Sequence, residues 1–257
     1  FCNNFFDIKS RNNKCFNDAY TNPVIMDKIL TWGKTKMSAL YISWIRKAIY
    51  MASGMHNPSY YRPHLSKQII RTTGKSEGIL FDPCSGWGGR MLGTVAAGWN
   101  YVGCEPNKKT YDNLIRIINF LDIGDSVELH NCPFEDFDLK SLGKVDIVLT
   151  SPPYYNLEVY DNGETQSYVK YPSFDEWIDK WMLVMIRKCH GILKPGGLSC
   201  YNAMDWGKDK FVDGIINAHI ENEWELINQY GIDSPFLNYK GKLNKRDLTH
   251  VFCKMSS

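Results

Sequence analysis

What this sequence lacks narrows the field first. Its eight cysteines, at positions 2, 15, 84, 104, 132, 189, 200 and 253, form no Cys-x-x-Cys pair. Neither a zinc module nor a disulfide framework is expected, and a reducing cytoplasm is the expected setting. The histidines offer no metal triad; His64, His130 and His250 read as structural or surface residues. No apolar run approaches the roughly 20 residues of a membrane span. No signal-peptide pattern, internal repeat or low-complexity segment is present. Phe1 in place of an initiator Met leaves room for residues upstream. The 257 residues, 44% of them hydrophobic, suit one sizeable domain with a small appendage.

Net charge is small but unevenly placed. The formal net charge is +2, yet residues 1–75 hold twelve Lys/Arg against Asp7, Asp18 and Asp27, while the remainder is acidic. A basic segment beside an acidic one fits a polyanionic partner on one face, or an ordinary solvated helical surface.

Along the chain, residues 1–19 read as irregular. Pro23 to Ala52 turns helical, with Ile25, Ile29 and Trp32 on one face and Gly33 and Gly54 as breaks. We place a basic helical cap at residues 1–55 and a second unit at 56–257. A helix opens near Pro63. Gly78-Ile79-Leu80-Phe81 is a strand that runs into Asp82-Pro83-Cys84-Ser85-Gly86-Trp87-Gly88-Gly89-Arg90 and then a helix. Strand, glycine loop and helix form the nucleotide-binding opening of a doubly wound sheet. Asn100 to Glu105 is the second strand, and Glu105 stands where such folds place a ribose-gripping carboxylate. Ser126–His130 is the third strand, and Leu198–Asn202 follows a Lys194-Pro195-Gly196-Gly197 turn. A helix from Ser173 to His190 carries Phe174, Trp177, Trp181 and Val184 on one side. Trp224–Tyr230 and His250–Lys254 read as a closing hairpin.

The most informative stretch is Val145 to Glu158. A buried strand, Val145–Leu149, stops at Ser151-Pro152-Pro153-Tyr154. Prolines cannot continue a central sheet, so Ser151 and Pro152 are held extended past a strand's carboxyl end, where open α/β sheets bind ligands. A polar acceptor, a rigid backbone and an aromatic plate suit a flat, amino-bearing ring. The polar, aromatic loop 156–173 has the length of a lid or binding surface. It supplies Asn156, Glu158, Tyr160 and Gln166, which with Tyr155 are the candidate substrate contacts.

Taken in this order, the glycine loop and the Ser-Pro-Pro-Tyr stretch resemble the S-adenosylmethionine-dependent amino-methyltransferases that make N4-methylcytosine or N6-methyladenine in DNA. Arg62-Pro63 is similar to the segment those enzymes carry ahead of the loop, and Cys84 stands where they usually have Phe. The resemblance covers about residues 56–257. It implies a Rossmann-like class I fold, α/β, with a mostly parallel seven-stranded sheet and a terminal antiparallel hairpin. It implies S-adenosyl-L-methionine as cofactor, nucleic acid (DNA foremost) as partner, and no metal or membrane. A homodimer or a separate specificity partner is also compatible with it. It casts Ser151, Pro152, Pro153 and Tyr154 as catalytic, with the Ser151 hydroxyl and the Pro152 carbonyl accepting hydrogen bonds from the amino group. Asp82, Cys84, Gly86 and Gly88 would face the cofactor's methionine part, Glu105 and Pro106 its ribose, Phe134 and Glu135 its adenine, and Arg62 and Pro63 its carboxylate. Phe134 as core and Arg62 as surface remain the alternatives. The long variable block of restriction-type enzymes is missing, so recognition falls to the cap, the 156–173 loop or the 238–246 loop with its four cations. An RNA or free-nucleotide amino-methyltransferase, a nicotinamide-dependent oxidoreductase and an inactive nucleic-acid-binding subunit are the rival readings.

Overall fold

The computed structural model describes residues 3–10, 14–36, 41–53, 60–160, 163–205, 210–231 and 248–254. The 238–246 loop lies outside them. The amino-terminal segment is more regular than its composition suggests. After a turn of 3-10 helix at Asn3–Asp7, a short strand β1 (Lys9–Ser10) leads to α1 (Phe16–Thr21), α2 (Pro23–Lys36) and α3 (Ile42–Ser53). Helix α1 forms because Cys15 and Asp18 cap it reciprocally. Gly33, expected as a break, is buried inside α2, where a residue without a side chain fits. Ala19, Ile29, Ala48, Ile49 and Tyr50 form a small core of their own. Trp32 turns outward, 53% exposed, and stacks on Trp44.

The rest of the chain builds a sheet. Helix α4 (Pro63–Thr72) opens with Pro at its first position, and strand β2 (Ile79–Asp82) follows. Then come α5 (Gly89–Val95), β3 (Asn100–Cys104), α6 (Lys108–Leu121), β4 (Val127–His130), α7 (Leu139–Leu142) and β5 (Val145–Thr150). The 156–173 segment, expected to be loop, contains β6 (Glu158–Val159) and α8 (Ser167–Lys170). Ser173 caps α9 (Phe174–Trp177), which runs through a π-helical turn at Ile178–Met182 into α10 (Leu183–Ile192). The wide turn rotates the buried face, so that Met182, Met185 and Ile186 continue it in place of Val184. Strand β7 (Leu193–Ala203), helix α11 (Phe211–Ile220), and strands β8 (Trp224–Tyr230) and β9 (Leu248–Lys254) complete the fold.

Among the described residues, seven strands make one sheet in the order β4-β3-β2-β5-β7-β9-β8. The first five run parallel, and β9 is antiparallel to both neighbours. The expected Lys194–Gly197 turn is instead an irregularity inside β7, where the pairing jumps from Val145–Leu193 to Ile147–Leu198. It is pinned by Asp146, which accepts from Lys75 at 2.7 Å, Lys194 at 2.8 Å and the Ile79 amide at 3.0 Å. Leu80, Ile147, Leu149, Cys200 and Val251 face α4, α5 and α6, packing with Ile69, Met91 and Leu114. Phe81, Val148, Tyr201 and Phe252 face the other way, onto Trp177, Trp181, Met185 and Phe211. A central strand buried on both faces explains why Val145–Leu149 reads as an unbroken apolar run, each such side chain contributing about 2 kcal/mol. Two ties bind the amino-terminal segment to this frame. Strand β1 pairs antiparallel with β6, Lys9 opposite Val159. Asn4 donates to Thr110 and accepts from Asn113, both at 2.9 Å, on α6. No helix among the described residues is long and apolar enough to cross a membrane.

Candidate active site

The carboxyl ends of β2, β3 and β5 bring the candidate residues together. Behind β2 the backbone must turn sharply into α5, and it does so with Gly86 at φ +55° and Gly88 at φ +76°. Side chains rarely adopt that region, and a Cβ at Gly88 would lie 2.6 Å from Leu114 Cδ2. Asp82, expected to face the cofactor, is fully buried beneath this loop. It accepts from Arg90 Nε at 2.7 Å, from the Tyr101 hydroxyl at 2.9 Å and from the Cys84 amide at 3.2 Å. Arg90 also donates to the Cys84 carbonyl, which leaves the loop clamped from below. Burial opposes the charge on Arg90, but the Asp82 carboxylate together with Tyr101 and Tyr61 outweighs it and raises the guanidinium pKa. Burial, with Asp82 next, likewise pushes the half-buried Cys84 thiol well up, so it is no thiolate nucleophile. Asp82 is therefore an anchor of the loop, and its partners Arg90 and Tyr101 were missed by sequence reasoning. The available signal was an arginine directly after Gly88-Gly89 in an otherwise apolar helix.

At the end of β3, Glu105 is 7% exposed and lies across from the loop. Its two oxygens accept from the Gly86 and Asn107 amides, each at 2.9 Å. Burial drives its pKa to about 7, against the pull of those two amides; Asp82 adds to the rise and Arg90 opposes it. Pro106, half-buried, follows at once, its carbonyl 3.4 Å from Asn131 Nδ2. Asn107 caps α6 and donates to the Tyr160 carbonyl at 3.3 Å, which ties Tyr160 to the start of that helix. Trp87 lies between Tyr60 and Tyr160, with centroids 6.3 and 6.4 Å away. Phe134 is 3% exposed and packs against Phe81. Glu135 faces Lys170 at 3.2 Å. Arg62 is exposed at the start of α4, and Pro63 is exposed beside it.

Ser151 to Tyr154 sit at the end of β5, next to β7 in the middle of the sheet. Pro152 is buried; Ser151, Pro153 and Tyr154 are half-buried. Asn202 of β7 donates to Ser151 Oγ at 3.5 Å, and Tyr154 meets Phe211 edge-on with centroids 5.6 Å apart. Of the candidate substrate contacts, Tyr155 is 9% exposed and lies in the core. Its backbone takes φ +52° and its ring turns into the core against Phe174 and Trp177, the hydroxyl donating to the Pro172 carbonyl. Glu158 pairs its backbone with Ser10 in the β1–β6 ribbon, and Asn156 and Tyr160 are half-buried. Gln166 is buried at 7% exposure, and its Nε2 has no hydrogen-bond partner among the described residues. No group of three or more His, Cys, Asp or Glu suited to a metal occurs among the described residues.

This strand order, with a glycine loop after β2, an acid ending β3 and an antiparallel β9, is the class I methyltransferase fold. Solved structures share it at low identity. A methyltransferase from Pyrococcus furiosus is 14% identical, with 89% of this chain and 98% of that one covered, at a TM-score of 0.51. An rRNA methylase from Streptococcus thermophilus is 15% identical, with 77% and 100% covered, also at 0.51. The Burkholderia thailandensis 1,6-didemethyltoxoflavin-N1-methyltransferase, solved with S-adenosylhomocysteine, is 12% identical, with 76% and 78% covered, again at 0.51. Within that class, residues 145–253 match the model of the DNA methylase family of N6 and N4 enzymes. No curated protein sequence matches the chain. The match over residues 145–253 and the fold together support a methyltransferase that uses S-adenosylmethionine. The residues present fit that cofactor: a glycine cradle closed to any side chain at Gly88, and a buried acid beside it at Glu105.

Proposed function

We propose that this methyltransferase modifies an exocyclic amino group of a nucleobase in DNA, N4 of cytosine ahead of N6 of adenine. The observation that carries the reading is Ser151-Pro152-Pro153-Tyr154 at the end of β5, inside the segment that matches the DNA methylase family. The amino nitrogen of a nucleobase is a poor nucleophile because its lone pair is delocalised into the ring. Ser151 Oγ and the Pro152 carbonyl accept its two N–H bonds and favour a pyramidal nitrogen. Pro153 has no amide hydrogen to compete. Tyr154 offers a face to a base that has left the stack, and Gln166 an amide nitrogen with no partner among the described residues. S-Adenosylmethionine, when bound, supplies the electrophilic methyl group. Glu105 would hold its ribose and the Gly86–Gly88 loop its methionine end. Catalysis here is mainly orientation, since a serine is too weak an acid to serve as a carboxylate would.

Residues 1–55 act in this reading as a basic cap that holds the nucleic acid. Lys28 and Lys47, one helical turn from Trp32 and Trp44, are exposed on the same helix faces as that stack, and Lys34 and Arg46 are exposed on the same two helices, a combination of cations and aromatic faces that suits a nucleic-acid strand. Lys67 and Arg71 line a groove of about 400 Å³ with His64, Gln68 and Tyr230.

The test uses methyl-labelled S-adenosylmethionine with mixed-sequence duplex DNA, single-stranded DNA and RNA, each digested to nucleosides and read by mass spectrometry. N4-methylcytosine or N6-methyladenine is expected, reduced roughly a hundredfold or more in Ser151→Ala and Tyr154→Ala. A methylated ribonucleoside would move the substrate to RNA. No labelled nucleoside on any polymer, with cofactor still bound, would refute the reading.

A further inference from the structure

We propose that Asn202, Thr249 and Tyr61 are positioning residues that set the Ser151 hydroxyl for the substrate's amino group. The inference rests on the reading of Ser151 as the acceptor and adds a device that orients it. The three residues come from β7, β9 and the lead-in to α4, yet they form one line of hydrogen bonds on the sheet face that carries Leu149 and Val251. Thr249 Oγ1 donates to Asn202 Oδ1 at 3.0 Å, and Asn202 Nδ2 donates to Ser151 Oγ at 3.5 Å. The Tyr61 hydroxyl lies 3.1 Å from Thr249 Oγ1.

Proton counting gives the line a direction. Thr249 has one hydroxyl hydrogen, and Asn202 accepts it. The Tyr61 hydroxyl must then be the donor to Thr249. Every bond therefore points toward Ser151. Asn202 fills one acceptor position of Ser151 Oγ and leaves the other for the amino group, while the serine's own proton is turned away from Asn202. An unanchored serine hydroxyl would spread over three rotamers and present its proton to the amino group in some of them. The 3.5 Å bond is long, as catalytic hydrogen bonds often are before substrate tightens them.

The far end of the line is fixed as well. Thr249 is fully buried and Asn202 is 5% exposed. The Tyr61 ring lies under the Arg90 guanidinium, 5.1 Å from the centroid. The Tyr61 carbonyl occupies the space that a Cβ on Gly89 would need. Arg90 in turn clamps Asp82 and Cys84 beneath the glycine loop. The line thus runs from the support of the cofactor loop to the residue that meets the substrate.

Four single variants test this in methyl transfer to mixed-sequence duplex DNA: Asn202→Ala, Thr249→Val, Tyr61→Phe and, as a rescue, Thr249→Ser. Asn202→Ala is expected to lower kcat roughly tenfold to a hundredfold, with the other two losses smaller and KM for S-adenosylmethionine unchanged. Thr249→Ser keeps the hydroxyl and should recover most of the rate. Losses confined to cofactor affinity or melting temperature, or wild-type kcat in Asn202→Ala, would overturn the proposal. Ser151→Ala separates its failure from that of the parent reading: a wild-type rate there refutes the acceptor role, while a collapse there with an active Asn202→Ala refutes only the line. A readout that needs no substrate is the Asn202 side-chain amide by nitrogen-15 NMR. It should shift in Ser151→Ala and again in Thr249→Val, and invariance to either would break the line.

Discussion

Cofactor binding should depend on pH through one residue, Glu105. Its carboxyl is driven to about 7 by burial, although the Asn107 and Gly86 amides hold the anion. Ribose hydroxyls are donors, so binding at Glu105 favours the ionised form. With a pKa of about 7, the group is about one-tenth ionised at about pH 6 and about nine-tenths ionised at about pH 8. The affinity for S-adenosylmethionine should therefore rise about tenfold across that interval, or about 1.4 kcal/mol. Stability of the free protein should move the other way. The folded pKa is raised, so the contribution of this group is fully present below its unfolded value and is lost as pH rises through about 7. The assay is titration calorimetry at about pH 6, 7 and 8 in two buffers of different ionisation enthalpy. Binding should release nearly one proton at the lowest pH and almost none at the highest. Glu105→Gln should bind weakly with a flat profile, because one side of its amide must meet a backbone N–H as donor against donor. An affinity independent of pH in the unmodified protein would refute the assignment of the ribose to Glu105.

Three further outcomes follow from the structure. Asp146 is held below the ordinary carboxylate range because Lys194, Lys75 and the Ile79 amide overcome the opposing effect of burial. Its contribution is present above the unfolded value near 3.8 and is lost as pH falls through the lower folded one. Asp146→Asn should destabilise by about 1–3 kcal/mol near neutral pH, less than a fully buried pair because both lysines are half-exposed, and thermal melts against pH will show the difference shrinking in acid. Lys28→Ala with Lys47→Ala should weaken binding to a fluorescent oligonucleotide and reduce the slope of log affinity against log salt by about 1 per lost phosphate contact. Trp32→Ala should weaken it at every salt concentration and leave S-adenosylmethionine binding unchanged; an unaltered salt slope would place the nucleic acid elsewhere.

Local sequence carried the frame of this site and left its supports hidden. Val145–Leu149, the two prolines and the glycine loop announce themselves within a few residues, since strand, stop and turn are local matters of period and backbone restriction. Glu105 is legible for the same reason, as the acid that ends an apolar strand. What local sequence left hidden is set by long-range packing. Tyr155 follows Tyr154 and reads as its twin, but a left-handed backbone at that one position sends its ring behind the loop and into the core. Asp82 has the right spacing for a ligand contact, yet Arg90 and Tyr101 both hold its Oδ2 from below while the Cys84 amide takes Oδ1. Asn202, Thr249 and Tyr61 carried no signal beyond being polar in apolar strands or ahead of a helix start, because their meaning lies in a partnership between residues 188 apart. The same argument separates two kinds of residue by how they tolerate change. A side chain that meets the substrate is set by local geometry, whereas one that aims it is set by the sheet. Re-creating the Ser-Pro-Pro-Tyr stretch on another strand end should therefore give a pocket without a fixed hydroxyl, unless a donor on the neighbouring strand comes with it.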